Sequence, residues 1–372
     1  MEWNYTQPVK IYFGNGRIQE LENVIEEIKG TRGILITSNS FVKHGIADEL
    51  LENNKKLKIV YSNISPNPDV KECDVCVEKI KENHCDFIVA MGGGSVMDCA
   101  KAAAAFCTEE NKSAKYLSGE IGIPSKALPI IAIPTTAGTG SEISCVSVLS
   151  DHDSGQKKPL NSANFYPKAA IVDPELTYSV PPYITACTGM DVLCHAIEAY
   201  WSKHHQPVCD LLAIQALKLV FSNLETAVFD GSNKEAREKM AEASVLAGMA
   251  FTIPKTTSAH ACSYPLTNRL GIPHGEACGL TVDHFLRINA KGSEGNRLEE
   301  LAKILGYDSA ELLAEHIGHL KKSIGLKTDL KEFDIDDQIF ETLVCESQHP
   351  NLLNNPVEIT KEMLEELYQK FI

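Results

Sequence analysis

Up to residue 173 the chain repeats one pattern. A short apolar run, bounded by polar residues, is followed by a stretch whose apolar positions have helical spacing. The runs are Ile11-Tyr12-Phe13, residues 33–37, residues 57–61, Phe87-Ile88-Val89-Ala90-Met91, residues 129–134 and residues 169–173. Runs this short and this apolar suit parallel strands covered on both faces. Their alternation with helical stretches, at 17–29, 41–54 and Val70 to Asn83 among others, predicts an open α/β sheet. Asp69 is placed to cap the last of these helices. Beyond Pro181-Pro182 the alternation stops. Helical patterns follow at 183–202, 207–223, 233–252, 256–266, 276–290, 295–304, 308–323 and 360–370. The expectation is an α/β domain over residues 1–180 and an all-helical domain over 181–372.

The fourth apolar run leads into Gly92-Gly93-Gly94-Ser95-Val96-Met97-Asp98. This reads as strand, glycine turn and helix start. Glycines let a backbone approach a ligand closely, and a helix N-terminus offers free N–H groups to an anion. The pattern suits a phosphate or pyrophosphate, or else a tight turn with a well-capped helix. Ser95 and Asp98 are spaced as a variant capping box. The usual GxGxxG fingerprint is absent. Thr135-Thr136-Ala137-Gly138-Thr139-Gly140-Ser141-Glu142 follows the next strand, at the carboxyl edge where open sheets bind ligands.

In the helical half, Asp191 and His195 are four residues apart and share a helix face. His260 and then Pro273-His274-Gly275 come later in the same half. One carboxylate and three imidazoles can hold one divalent transition metal and leave a position open. Spacing alone leaves open that these are unrelated polar residues. A cleft between the two domains would bring a cofactor to such a metal.

The formal net charge is −15, which argues against a nucleic-acid binder or an anionic-membrane binder. No apolar run reads as long enough to span a bilayer, and the first residues lack the features of a signal peptide. A cytoplasmic location with reduced thiols is the expectation for the 12 cysteines. Cys73-x-x-Cys76 stands without a second such pair and is read as structural.

These pieces together resemble the iron-containing, group III alcohol dehydrogenases. The resemblance rests on Phe13-Gly14, Pro66-Asn67-Pro68, Gly92-Gly93-Gly94-Ser95 with Asp98, Pro134 through Glu142, and Gly189-Met190-Asp191 with His195-Ala196-Ile197-Glu198. His260, Pro273-His274-Gly275 and Asn355-Pro356 complete it. It implies a Rossmann-like domain followed by a helical one, as in the dehydroquinate synthase-like fold, and a homodimer or higher homo-oligomer. It makes Asp191, His195, His260 and His274 ligands of Fe2+ or Zn2+. It puts Gly92, Gly93, Gly94 and Ser95 on the pyrophosphate of a nicotinamide cofactor. Asp98, Thr135, Thr136 and Thr139 line the rest of the cofactor cleft, and Lys157, or its neighbour Lys158, reaches a ribose. The implied reaction is reduction of an aldehyde by NAD(P)H.

Three departures from the family pattern narrow that expectation. Tyr264 stands where many members carry a second histidine, and a tyrosine donates a proton more readily than it accepts one at neutral pH. Lys255, Thr256, Thr257, Ser258 and Arg269 stand where the family is mostly apolar or uncharged, and read as an anion pocket, with Asn161 and Ser162 as further donors. Ser38 replaces the acidic residue that holds the adenosine ribose in NAD-preferring relatives; NAD is expected, with NADP use allowed. The Lys-Thr-Thr-Ser-Ala-His stretch resembles members that reduce sulfoacetaldehyde to isethionate or phosphonoacetaldehyde to 2-hydroxyethylphosphonate. Alternatives are succinic semialdehyde reduction, a general short-chain alcohol or lactaldehyde dehydrogenase, and a non-catalytic redox sensor.

Overall fold

The six apolar runs form one parallel sheet. Its strands are β1 (Lys10–Phe13), β2 (Gly33–Thr37), β3 (Leu57–Tyr61), β4 (Phe87–Gly92) and β5 (Ile130–Pro134), closed in chain order by β8 (Ala169–Val172). Between β5 and β8 the chain makes an antiparallel hairpin of β6 (Val146–Asp151) and β7 (Gln156–Asn161). The computed structural model describes residues 2–372. The sheet order is β1-β8-β5-β4-β2-β3. Side chains alternate across it, as a pleated strand requires. Ile34, Ile36, Ile88 and Ala90 pack into one core, and Leu35, Val89, Met91 and Ile131 into a second core on the opposite face. Both faces are covered, which is why these runs carry no polar alternation.

Two helical expectations are modified. Residues 17–29 form a 3-10 turn, Arg17–Glu20, and then the helix Leu21–Glu27. The 41–54 stretch is split into Asn39–Lys43 and Ile46–Asn53 by Gly45, whose φ of 77° breaks the helix. Asp69 does cap the helix Val70–Glu82: it accepts from Lys71 N, while Glu72 accepts from Asp69 N, a full capping box.

The chain forms two compact units. One holds Thr6–Thr136 and Gly140–Thr177 and contains the sheet; the other holds Ala137–Thr139 and Tyr178–Ile372, with the residues through Tyr5. The second unit is helical. Its helix Pro182–Trp201 is buried on nearly every side from Thr185 onward, as a central helix must be. The helices Pro207–Phe229, Lys234–Phe251, Ser258–Leu270 and His274–Ala290 belong to the same unit. One further helix, Asp337–Glu346, was not expected from the sequence. The helix Pro207–Phe229 is, against expectation, long and apolar enough to cross a membrane by length and composition. It packs against Pro182–Trp201 and Lys234–Phe251, burying Ala213, Leu217, Val220 and Leu224.

Candidate metal and cofactor sites

Asp191 and His195 lie on one face of the central helix. The helix His274–Ala290 reaches them because Gly275 has no side chain: a Cβ there would lie 2.0 Å from the Cys187 carbonyl and 2.9 Å from Asp191 Cβ. That close crossing sets His274 beside Asp191. His260 comes from the first turn of Ser258–Leu270. Around Asp191 Oδ1, His260 Nε2 is at 3.5 Å, His195 Nδ1 at 3.8 Å and His274 Nε2 at 3.9 Å. Donor atoms about 2.0–2.3 Å from one tetrahedral cation lie roughly 3.3–3.8 Å from each other.

Asp191 Oδ1, His195 Nδ1 and His260 Nε2 are buried and have no hydrogen-bond partner. Unsatisfied buried polar atoms are costly, and three converging on one spot call for a cation. The residues therefore fit a divalent metal. Burial would raise the Asp191 carboxyl, but His195, His260 and His274 outweigh it and hold it well below the usual carboxylate range. Burial pushes the His195 imidazole down to about 4, so it is neutral and its lone pair is free. His195 also stacks on Phe251 and on His260.

Asp191, His260, His274 and Cys278 also bring four ligand atoms within 4.8 Å of one another. By sequence, Cys278 counts only among the reduced thiols and is not singled out as a candidate ligand. The signal was present: His274 and Cys278 are four apart on one helix, the same spacing as Asp191 and His195.

Glu198, one turn beyond His195, is buried and meets the N-terminus of Ser258–Leu270. It accepts from the backbone N–H of Thr257 and Ala259 and from the Thr257 hydroxyl, and its Oε2 is 2.5 Å from His260 Nδ1. A carboxylate at a helix N-terminus is favoured by the unpaired N–H groups there. Here it also keeps the His260 proton on Nδ1, leaving Nε2 to face Asp191.

Most of the expected anion pocket is engaged elsewhere. The Thr257 hydroxyl donates to Glu198 and accepts from Trp201 Nε1. The Ser258 hydroxyl donates to Asn355, which in turn is paired with Asn289. Both residues are fully buried, so their hydroxyls hold the loop rather than a ligand. Thr256 Oγ1 accepts from Asn351. Arg269 is 53% exposed and paired with Glu346. Lys255 differs: it is half-buried, its ammonium has no carboxylate partner among the described residues, and its φ is 65°. A non-glycine residue held in the left-handed region marks a loop whose conformation is imposed by its surroundings. Asn161 and Ser162 belong to the sheet-bearing unit, where Asn161 accepts from the Cys145 thiol and Ser162 accepts from Asn164 N. Tyr264 lies against His349, ring centroids 4.5 Å apart, and 6.3 Å from His274. Burial pushes its phenol up.

In the sheet-bearing unit, β4 ends at Gly92, where a Cβ would lie 2.6 Å from Val96, so only glycine makes this turn. The helix Gly94–Phe106 starts from Gly93 with no side-chain cap. Its first N–H groups are thus open to an anion. The expected Ser95–Asp98 capping box is not formed. Asp98 instead accepts from the Ser141 hydroxyl and from Val148 N, tying Ser141 and β6 to the helix. Ser95 and Lys157 are brought together by Asn67, whose N–H donates to Ser95 Oγ and whose Oδ1 accepts from Lys157. Thr135 N donates to Gly92 O, and Thr136 Oγ1 lies beside Gly93. Ser38 is the residue following β2, with its side chain not used as a cap. Thr139 belongs to the helical unit. Cys73 and Cys76 are fully buried, with thiols pushed up by contact with Cys99 and by burial, respectively; they are inert core residues.

An anion-ready turn at the edge of a parallel sheet, in a chain that also buries a cation-ready carboxylate–imidazole cluster, fits an enzyme that uses a phosphate-bearing cofactor and a divalent metal. Residues 8–174 match the family model for iron-containing alcohol dehydrogenase, and residues 185–372 match that for the C-terminal part of the Fe-containing alcohol dehydrogenase family. The chain belongs to the iron-containing alcohol dehydrogenase family. Among solved structures, sulfoacetaldehyde reductase from Bifidobacterium kashiwanohense in complex with NAD+ is 53% identical, covers 100% of this chain and 99% of that one, and superposes with a TM-score of 0.97. Sulfoacetaldehyde reductase of Bilophila wadsworthia is 36% identical over 75% of this chain and 73% of its own length. The 1,3-propanediol dehydrogenase of Citrobacter freundii is 32% identical over 99% of this chain and 98% of its own.

Proposed function

We propose that this dehydrogenase reduces a short aldehyde with a strongly anionic end, sulfoacetaldehyde or phosphonoacetaldehyde, to the corresponding alcohol with NADH. The observation that carries this reading is the 53% identity, over the whole chain, to a sulfoacetaldehyde reductase solved with NAD+. The bound metal and nicotinamide supply carbonyl polarisation and hydride.

The chain's own residues supply the rest. Gly93, Gly94 and Ser95, at the open helix N-terminus, take the cofactor pyrophosphate, and Lys157, held by Asn67, takes a ribose hydroxyl. Asp191, His195, His260 and His274 hold Fe2+ or Zn2+, with the proton of His260 kept on Nδ1 by Glu198. Lys255 offers the cation for the anionic end of the substrate. Tyr264 carries its proton at neutral pH and is the donor to the product alkoxide. A tetrahedral sulfonate or phosphonate engages several donors at once, where a carboxylate favours one bidentate arginine, and Arg269 is already paired.

A second reading is favoured by the internal engagement of Thr257 and Ser258: a dehydrogenase of neutral short alcohols, like the propanediol relative. NADH oxidation with sulfoacetaldehyde, phosphonoacetaldehyde, succinic semialdehyde and propionaldehyde separates the two. An anionic aldehyde favoured by on the order of a hundredfold in kcat/KM gains about 2.7 kcal/mol from its end group in the transition state. Equal turnover of propionaldehyde would leave the neutral reading standing.

A further inference from the structure

Cys278 has no part in the ligand set that the family resemblance implies, yet its sulfur sits inside the cluster. Its Sγ is 3.9 Å from His274 Nε2 and within 4.8 Å of the ligand atoms of Asp191 and His260. A thiolate about 2.3 Å and an imidazole nitrogen about 2.0 Å from one tetrahedral ion lie roughly 3.5 Å apart, so a shift of about 0.4 Å brings Sγ and His274 Nε2 to that separation. The placement is not incidental to the helix. Cys278 follows His274 by one turn, on the face that Gly275 and Gly279 hold tight against Cys187, Met190 and Asp191. The thiol is buried, so it has no water to turn to. Asp191 Oδ1 and His260 Nε2, both unpartnered, belong to the same group of four.

We infer that Cys278 is itself a ligand of the metal, its thiolate completing a set with Asp191, His260 and His274. The inference rests on the proposed metal site and adds a donor to it. On binding, the S–H proton leaves to solvent and the metal–sulfur bond forms, with no change of oxidation state. His195, whose Nδ1 lies 3.8 Å from Asp191 Oδ1 and whose ring stacks on Phe251 and His260, then stands as a fifth donor. A divalent ion of this type expands from four to five ligands without difficulty. The consequence is a softer site than one of carboxylate and imidazole alone, one that favours zinc or cobalt over magnesium or manganese.

Cobalt(II) is the probe. The full chain is freed of metal with a chelator and titrated with Co2+ without oxygen, alongside Cys278→Ser, Cys278→Ala and Asp191→Asn. The parent is expected to show visible ligand-field bands together with a near-ultraviolet sulfur-to-cobalt charge-transfer band. Both Cys278 variants, folded by circular dichroism, keep the visible bands, lose the charge-transfer band, and bind Co2+ at least about tenfold more weakly, the loss that even outer-shell partners cause. Asp191→Asn loses both kinds of band. Visible bands without charge transfer in the parent, or charge transfer retained in Cys278→Ser, overturn the inference and leave the Asp191–histidine site standing. No cobalt spectrum in the parent, or an unaltered one in Asp191→Asn, overturns the site and the inference with it.

Discussion

Glu198 Oε2 lies 2.5 Å from Nδ1 of His260, and the same carboxylate closes the N-terminus of the helix that carries His260. One side chain thereby sets both the position of the helix and the tautomer of the imidazole. Glu198→Gln keeps the shape but removes the charge, and an amide N–H facing Nδ1 reverses the polarity of that bond. Metal affinity, measured by competition with a chelator, is expected to fall about 10- to 100-fold, with the variant still folded. Unchanged affinity would mean that His260 does not bind metal through Nε2.

Gly275 is the position where two helices approach most closely at the cluster. Gly275→Ala places a methyl group 2.0 Å from the backbone oxygen of Cys187, which cannot swing away as a side chain could. The helix bearing His274 and Cys278 must move off the one bearing Asp191. Overpacking of this kind costs about 1–3 kcal/mol. The expected outcome is a lowered Tm together with loss of the added stability that metal confers on the parent. A Tm unchanged by the substitution would contradict the close packing described here.

The sequence made the sheet legible because each strand is buried on both faces and so reads as an uninterrupted apolar run; β2 and β3 fall where the pattern puts them. The hairpin of β6 and β7 was not legible. Gln156-Lys157-Lys158-Pro159 has two adjacent lysines and a proline, and neither alternation nor an apolar run marks it as a strand. At the metal cluster, the motif order led to Asp191 and the histidines, whereas Cys278 was hidden among twelve cysteines because a buried thiol is by default a core residue. Thr257 and Ser258 misled for a related reason. Hydroxyls beside a metal ligand look like substrate donors, and only the fold shows that Glu198 and Asn355 have already engaged them.

Asn67 joins two residues proposed for the cofactor, Ser95 through its N–H and Lys157 through its side chain. Its φ of 58° lets the loop turn so that both bonds form at once. Lys157→Met removes the cation and its hydrogen bond while keeping the aliphatic stem. A hydrogen bond from a charged group contributes about 1.5–3 kcal/mol, so NADH is expected to bind at least about tenfold more weakly by fluorescence titration. Cobalt binding should be unaffected. If NADH affinity is unchanged, Lys157 is not a cofactor residue.

Glu142 and Lys101 make the sheet-bearing unit sensitive to pH. Burial raises the Glu142 carboxyl from 4.5 to about 7, although Lys101 opposes the shift. Burial lowers the Lys101 ammonium to about 8, even though it donates to Ser141, Ser144 and Val146 O. A carboxyl that holds its proton more firmly when folded stabilises the fold at low pH. The Glu142 contribution is fully present below 4.5 and is lost as the pH rises through about 7. The Lys101 shift acts in the other direction: stability present above 10.5 is lost as the pH falls through about 8. Between these windows both groups oppose folding. Glu142→Gln removes the first without adding a charge. Relative to the parent, this variant is expected to gain stability as the pH rises from 4.5 to about 7, by up to about 3 kcal/mol. Denaturant titrations of parent and variant at a series of pH values measure that difference directly. A difference that stays constant across the window would show that Glu142 titrates as an ordinary carboxylate, and that the pocket around it is wetter than its packing implies.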